Sequence, residues 1–419
     1  MEHHFNMNSF FRCTFSILCV FLPSCLFAQS VRGDGKPATS ARGLRPLAVD
    51  DYFQIKEVEN AQISPDGKWV AYVVTTHDPK GDKDKKRIWM VAAAGGEAIP
   101  LTVENTNATR PRWSPDGKYL GFLSERGDQK TEDEKKQVWL MRRDGGEAEQ
   151  LTNTIQDVDG FEWSPSGDRL LLRLQDPSPE ELEAAKKKEK GKADDEEKEK
   201  TRTRPWVIDR LHFKEDEIGY LDRRRSHLYV LNLADRKLTQ ITSGDYDDSE
   251  PAWSPDGKWI AFCSNRTAEP DRNFETAVWV VAADNQDQGK SIRKVAESPG
   301  EQPEPAWSPD GKWIAFITQL DLKLFWYATY HLAIVPASGG EPKVLTKALD
   351  REASAPHFSV DGEWIYFIAE DEGTQNLLRI APTGGEIARA IGGRRKVESY
   401  SISRDGTVAA AISSSSMPS

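Results

Sequence analysis

One ten-residue stretch constrains this chain more than any other. Trp-Ser-Pro-Asp-Gly-Lys-Trp-Ile-Ala-Phe occurs at Trp253 to Phe262 and again at Trp307 to Phe316. Ser-Pro-Asp-Gly is turn chemistry, because proline presets the second position and glycine supplies the left-handed residue that follows. The flanks are apolar on both sides of the strand alternation, so a hairpin built from them must be covered on both faces. Related turns occur at Ser64-Pro65-Asp66-Gly67, Ser114-Pro115-Asp116-Gly117, Ser164-Pro165-Ser166-Gly167, Ser359-Val360-Asp361-Gly362 and Ser403-Arg404-Asp405-Gly406. The serines at 64, 114, 164, 254, 308, 359 and 403 are spaced by 50, 50, 90, 54, 51 and 44 residues. A period near 50 suits one four-stranded propeller blade, about 40–50 residues.

Each period holds a second hairpin. An apolar strand such as Ile88 to Val91, Val138 to Met141, Val278 to Val281 or Leu332 to Val335 leads to a Gly-Gly turn. Those turns are Gly95-Gly96, Gly145-Gly146, Gly339-Gly340 and Gly384-Gly385. A short strand then ends at Leu101-Thr102, Leu151-Thr152, Ile241-Thr242 or Leu345-Thr346. Four strands per repeat with both faces apolar predict an all-β chain, a seven-bladed β-propeller. The last blade is incomplete: two strands around Ile402 and Val408 to Ile412 precede a serine-rich tail over 413–419. Either the N-terminal segment supplies the missing strands or the chain is part of something longer; we favour the second.

Residues 1–30 read as a secretory signal peptide, with Arg12 before an apolar run and small residues near Ala28. The protein is therefore expected to be exported, periplasmic or secreted, with a lipid anchor at Cys25 as the lesser alternative. Residues 31–48 read as a flexible lead-in and 49–412 as the propeller, opened by a short helix capped by Asp50. The 90-residue spacing leaves a charged insertion at about 176–204 in blade three, opened by a capping box at Ser178 to Glu181. Two blades in that interval, eight in all, is the alternative. The net charge of −11 argues against a nucleic-acid partner, and no apolar run in the body of the chain is long enough to span a membrane.

Asp51 to Val58, running into Ile63 to Tyr72, resembles the entry to the propeller of the prolyl oligopeptidase family of serine peptidases. Arg204 to Phe213 and Arg224 to Val230 resemble segments of its acylaminoacyl-peptidase and dipeptidyl-peptidase-like branch. The resemblance implies an α/β-hydrolase domain with a Ser-Asp-His triad, but this chain contains no Gly-x-Ser-x-Gly elbow. It is read as the non-catalytic propeller of such a peptidase, inactive alone, gating and selecting peptides and supporting an absent α/β-hydrolase domain, with peptides or that domain as its partners. The alternative is a TolB-like periplasmic protein-binding propeller; the Ser-Pro-Asp-Gly repeat alone suits both.

No catalytic, metal or cofactor residues are assigned. His77, His212, His227, His331 and His357 read as ordinary surface or strand histidines, and the cluster of Asp245, Asp247, Asp248 and Glu250 as a solvated loop rather than a calcium site. Residues three before each repeat's Trp or Phe are placed near the channel mouth: Arg110, Glu250 and Glu304, with Asp248 and Arg351 nearby. These are the candidate substrate-facing groups, with carboxylates suited to a peptide amino group.

Overall fold

The structure is a computed structural model that describes residues 48–79, 83–104, 106–125, 135–189, 207–216, 219–286, 289–298 and 303–414, with the backbone of 15–19. The remainder of the expected leader and lead-in, the insertion from 190 to 206 and the end of the tail lie outside the described residues.

Each Ser-Pro-Asp-Gly turn closes in the same way. In the turn at 254–257 the Ser254 hydroxyl donates to Asp256 at 2.6 Å and accepts the Trp259 N–H at 2.9 Å, while the Gly257 N–H reaches the Ser254 carbonyl at 2.9 Å. Gly257 has φ of 66°, a left-handed conformation that costs a residue with a Cβ about 1–2 kcal/mol. A second recurring bond ties the outer strand down. The threonine hydroxyls of Thr102, Thr152, Thr242 and Thr346 accept the N–H groups of Ile88, Val138, Leu228 and Leu332 at 2.9–3.0 Å.

These hairpins assemble into six four-stranded blades, each paired antiparallel in chain order from the channel outward. Blade one runs Lys56–Ile63, Trp69–Asp78, Lys83–Ala92 and Ile99–Pro100. The inner strands of blades two to six are Thr109–Trp113, Val158–Trp163, Asp248–Trp253, Ala306–Trp307 and Ala353–Phe358. The expectation of seven blades is corrected to six. Among the described residues the seventh repeat contributes the hairpin Lys396–Ile402 and Val408–Ser413, which joins the sheet of blade six through a single parallel bridge, Gln375 to Lys396. On its other edge Phe15–Cys19, inside the expected leader, pairs antiparallel with Val408–Ser413, Phe15 opposite Ser413 and Cys19 opposite Ala409. Among the described residues between Gln175 and Ser226 there is no eighth blade, the strands there being the two-residue pair Lys214–Glu215 and Gly219–Tyr220.

The opening helix is also shorter than expected. It is a 3-10 turn at Val49–Gln54 whose first residue follows Ala48, with the Ala48 N–H donating to Asp51 at 2.8 Å, and Val58 belongs to the first strand. The capping box at Ser178 forms as read: Ser178 and Glu181 exchange bonds of 2.9 and 3.0 Å at the start of the helix Pro179–Glu189. Glu181 also meets Lys135 at 2.8 Å and Arg224 at 3.3 Å, so the helix start is tied to blades two and three.

Blades hold one another by two devices. Apolar faces interlock, as where Val278 and Val280 of blade four pack with Ile314, Phe316 and Val335 of blade five. The tryptophan before four of the turns also donates its indole N–H to the inner strand of the preceding blade: Trp113 to the Gln62 carbonyl at 3.0 Å, Trp163 to Arg112 at 3.1 Å, Trp253 to Glu162 at 3.4 Å and Trp307 to Ala252 at 3.1 Å. An indole suits this task because its apolar body fills the interface while one donor satisfies a buried carbonyl. Phe358 of blade six and Ile402 of the last hairpin carry no such donor.

Candidate functional site

The inner strands do not run straight. Pairing slips between Glu59 and Gln62, Thr109 and Arg112, Val158 and Gly160, Ser249 and Ala252, and Ser354 and His357. The residue three before the Trp or Phe adopts positive φ at three of these slips, 49° at Arg110, 46° at Glu250 and 51° at Ala355, and also in blade five, 47° at Glu304. Bulges re-aim side chains, and repeated strain of this kind marks a position worth a functional reading. In blade three the equivalent residue is Gly160, and a Cβ there would fall 3.1 Å from Nη1 of Arg110. The Arg110 guanidinium occupies the space that glycine leaves.

Two kinds of charge meet along the channel. Arg110 of blade two is acted on by Arg112 and Arg173 and, with opposite sign, by Glu162 and Glu250. It is open to channel solvent yet hemmed by protein, so burial and then its two arginine neighbours push its pKa down. Arg112 is paired, its Nε donating to Glu162 Oε1 at 3.0 Å across the boundary of blades two and three. Blades four and five supply an acidic side. Glu304 Oε2 accepts the Ala355 N–H at 2.5 Å, joining blades five and six. Burial raises the Glu304 pKa and the Glu250 charge adds to the rise, while the Ala355 bond opposes it. Behind these two carboxylates the Cys263 thiol is fully buried, and burial pushes its pKa well up.

His357 completes the wall from blade six. Its Nδ1 lies 3.3 Å from the Ala355 carbonyl, and its ring meets Tyr400 edge-on at 5.3 Å. Its surface is exposed yet ringed by protein, and that loss of solvent lowers its pKa, with Glu162 and Arg112 from blades three and two acting in opposite directions. The Tyr400 hydroxyl lies 2.6 Å from the same Ala355 carbonyl. The channel thus carries an arginine-rich wall on blades two and three and a carboxylate pair on blades four and five. Such a wall can orient a ligand that bears both signs of charge.

Of the five candidate residues, the structure brings together Arg110, Glu250 and Glu304. Asp248 and Arg351 sit elsewhere. Asp248 is wholly buried between blades three and four, where it accepts from Arg266 at 2.7 Å and lies 3.3 Å from His227, itself 3.4 Å from Asp176. Arg266 is enclosed by Tyr246, Phe262 and Trp279 at 5.0, 5.4 and 5.6 Å. Asp248 therefore braces the wall instead of lining the channel. Arg351 pairs with Asp371 at 3.1 Å on an exposed rim. Sequence reasoning missed Arg112, Glu162 and His357, all of which stand immediately before a repeat's Trp or Phe. Scanning that position across the repeats would have found them.

No known family model matches the chain. Among curated proteins it is 26% identical over 235 residues to an uncharacterized peptidase, YuxL, of Bacillus subtilis, covering 56% of this chain and 34% of that protein. It is 31% identical over 146 residues to dipeptidyl-peptidase 5 of Trichophyton schoenleinii, covering 33% of this chain and 19% of that protein. The chain thus spans about a third or less of the length of these relatives. Among solved structures, an acylaminoacyl peptidase from Pyrococcus horikoshii superposes with a TM-score of 0.59 at 16% identity, over 83% of this chain and 48% of that one. The β-propeller domain of the Trilobed protease from Pyrococcus furiosus gives a TM-score of 0.56 at 16% identity, over 86% of this chain and 92% of that domain. The chain is an all-β propeller, similar in sequence to parts of peptidases and in fold to peptidase propeller domains.

Proposed function

We propose that this chain is the propeller portion of an exported serine peptidase of the prolyl oligopeptidase family. In this reading it supports an α/β-hydrolase domain and selects peptides at the channel. The observation that supports the selective role is that Glu250 lies within electrostatic reach of both Arg110 and Glu304. A peptide amino terminus is met by the two carboxylates through charge-assisted bonds, and backbone carbonyls or a carboxylate by Arg110. The sequence similarity to peptidases supports the family. The chain itself holds no Gly-x-Ser-x-Gly elbow, so the chemistry belongs to the hydrolase partner.

Calorimetry on the purified chain tests the selection with a short peptide carrying a free or an acetylated amino terminus. The free peptide is expected to bind at least about tenfold tighter, a difference of about 1.4 kcal/mol, and Glu304→Gln to remove the preference. Equal affinity for the two peptides would overturn it. Turnover of a dipeptidyl chromogenic substrate by the pure chain, blocked by a serine-directed inhibitor, would overturn the non-catalytic assignment.

A further inference from the structure

On the face that carries the Ser-Pro-Asp-Gly turns, the glycine of each turn abuts the proline of the turn before it. A Cβ on Gly117, Gly167, Gly257, Gly311 or Gly362 would lie 3.4–3.7 Å from Pro65, Pro115, Pro165, Pro255 or Pro309. The series stops after blade six. There Val360 stands in place of proline, and nothing approaches Gly406 within 4 Å. A cleft of about 430 Å³ opens between blade six and the last hairpin, lined by Asp361, Trp364, Tyr366, Arg379, Ile402 and Arg404 among others. That size falls within the range of small-molecule sites, about 300–1,000 Å³.

Among the described residues the charges in this cleft have no ion-pair partner. The Arg379 guanidinium stacks 4.3 Å over Trp364, and its buried Nε has no acceptor among the described residues. The Arg404 side chain has none either, though its backbone N–H reaches Pro65. Elsewhere the acidic residues of these turns meet cations: Asp66 meets Arg143, Asp116 Lys118, Asp168 Arg169, Asp256 Lys258 and Asp310 Lys312. Asp361 and Asp405 make only hydrogen bonds within their own turns. Two arginines and two carboxylates without ion-pair partners, beside an indole and a phenol, match a small ligand that bears both charges on an apolar body. A bare anion would meet Asp361 and Asp405; a bare cation would meet the arginines.

We propose that this cleft binds a free α-amino acid or dipeptide with an aromatic side chain, its carboxylate on Arg379 and its ammonium on Asp361. Stacking on Trp364 holds the guanidinium plane in place for a two-point contact with the carboxylate. The site lies on the face opposite the loops that join the second and third strands, and it does not depend on the channel reading.

Calorimetry on the 419-residue chain with L-phenylalanine, N-acetyl-L-phenylalanine, L-phenylalanine amide and inorganic phosphate tests it. Phenylalanine is expected to bind, and each blocked form at least about tenfold more weakly. Arg379→Gln should erase the difference between phenylalanine and its amide while keeping the N-acetyl penalty. Asp361→Asn should do the reverse; it retains the oxygen that accepts from Ser359 and Glu363. Thermal melts show whether each variant is folded, and Arg379→Lys provides a second variant that keeps the charge but loses the fork. Glu304→Gln in the channel should change none of these values, which separates this site from the channel. Equal binding of all three phenylalanine forms, binding of phosphate alone, or no saturable binding at millimolar concentration would overturn the proposal.

Discussion

Two hairpins with the same repeat origin are held very differently. The blade-five hairpin of Ala306–Trp307 and Trp313–Gln319 presents Ile314 and Phe316 to blade four, and Trp307 bonds the Ala252 carbonyl. The last hairpin, Lys396–Ile402 and Val408–Ser413, meets blade one through Ala409 and Ala411, against Ala61, Ile63, Val70 and Ala93. Among the described residues no indole reaches across. The seam is joined instead by the Ile63 N–H on the Ser401 hydroxyl at 2.8 Å and the Arg404 N–H on the Pro65 carbonyl at 3.3 Å. Buried apolar area stabilises at about 25 cal/mol per Å², so an alanine seam contributes much less than one of Ile and Phe. The ring closes geometrically, but its closing seam is the weak one.

The largest test of this contrast is truncation in each seam. Phe316→Ala is expected to destabilise by about 3–5 kcal/mol in a urea melt. Ala411→Gly should cost about 1 kcal/mol, mostly backbone entropy. Comparable losses would mean that the two seams are equivalent. Hydrogen exchange reads the same difference without substitution, with amides of 408–413 exchanging faster than those of 313–319.

A smaller effect is expected from the indole bond. Trp307→Phe leaves the Ala252 carbonyl without its donor, and about 1–3 kcal/mol should be lost. Trp253→Phe, whose bond is longer at 3.4 Å, should lose less. If neither changes the melting temperature, the tryptophans act by volume alone.

The smallest expected difference is electrostatic. The Asp310 and Asp405 carboxyls are both held below the usual carboxylate range, chiefly by the hydroxyls of Ser308 and Ser403. A depressed carboxyl contributes stability above its unfolded pKa, about 3.9, and loses it as pH falls through the lower folded value. Both hairpins should therefore weaken in acid. Glu304 has the opposite sign: its pKa is raised, so its contribution is present in acid and is lost as pH rises from about 4.3 through the folded value. Glu304→Gln should flatten that loss in a series of melts across pH. Only Asp310 has a cation, Lys312 at 3.2 Å, and salt should weaken the blade-five turn by about 0.5 kcal/mol or less.

The sequence by itself determined the hairpin, the turn and the repeat, because these depend on neighbours a few residues away. Proline, aspartate and glycine dictate the turn at 254–257 wherever they stand, and apolar residues on both faces demand covering blades. The number of complete blades was not legible: a turn motif marks where a repeat starts, and pairing decides whether four strands follow. The site was only partly legible for a related reason. Asp248 and Glu250 are two apart, so a regular strand would point both the same way. The slip between Ser249 and Ala252, with Glu250 left-handed, leaves Glu250 exposed within reach of Arg110 and Glu304 and Asp248 with Arg266 and His227 inside the wall. Arg112, Glu162 and His357 likewise become one site only when blades two, three and six surround a common axis. Distant repeats can share a field only after the ring has formed, and that juxtaposition belongs to tertiary structure alone.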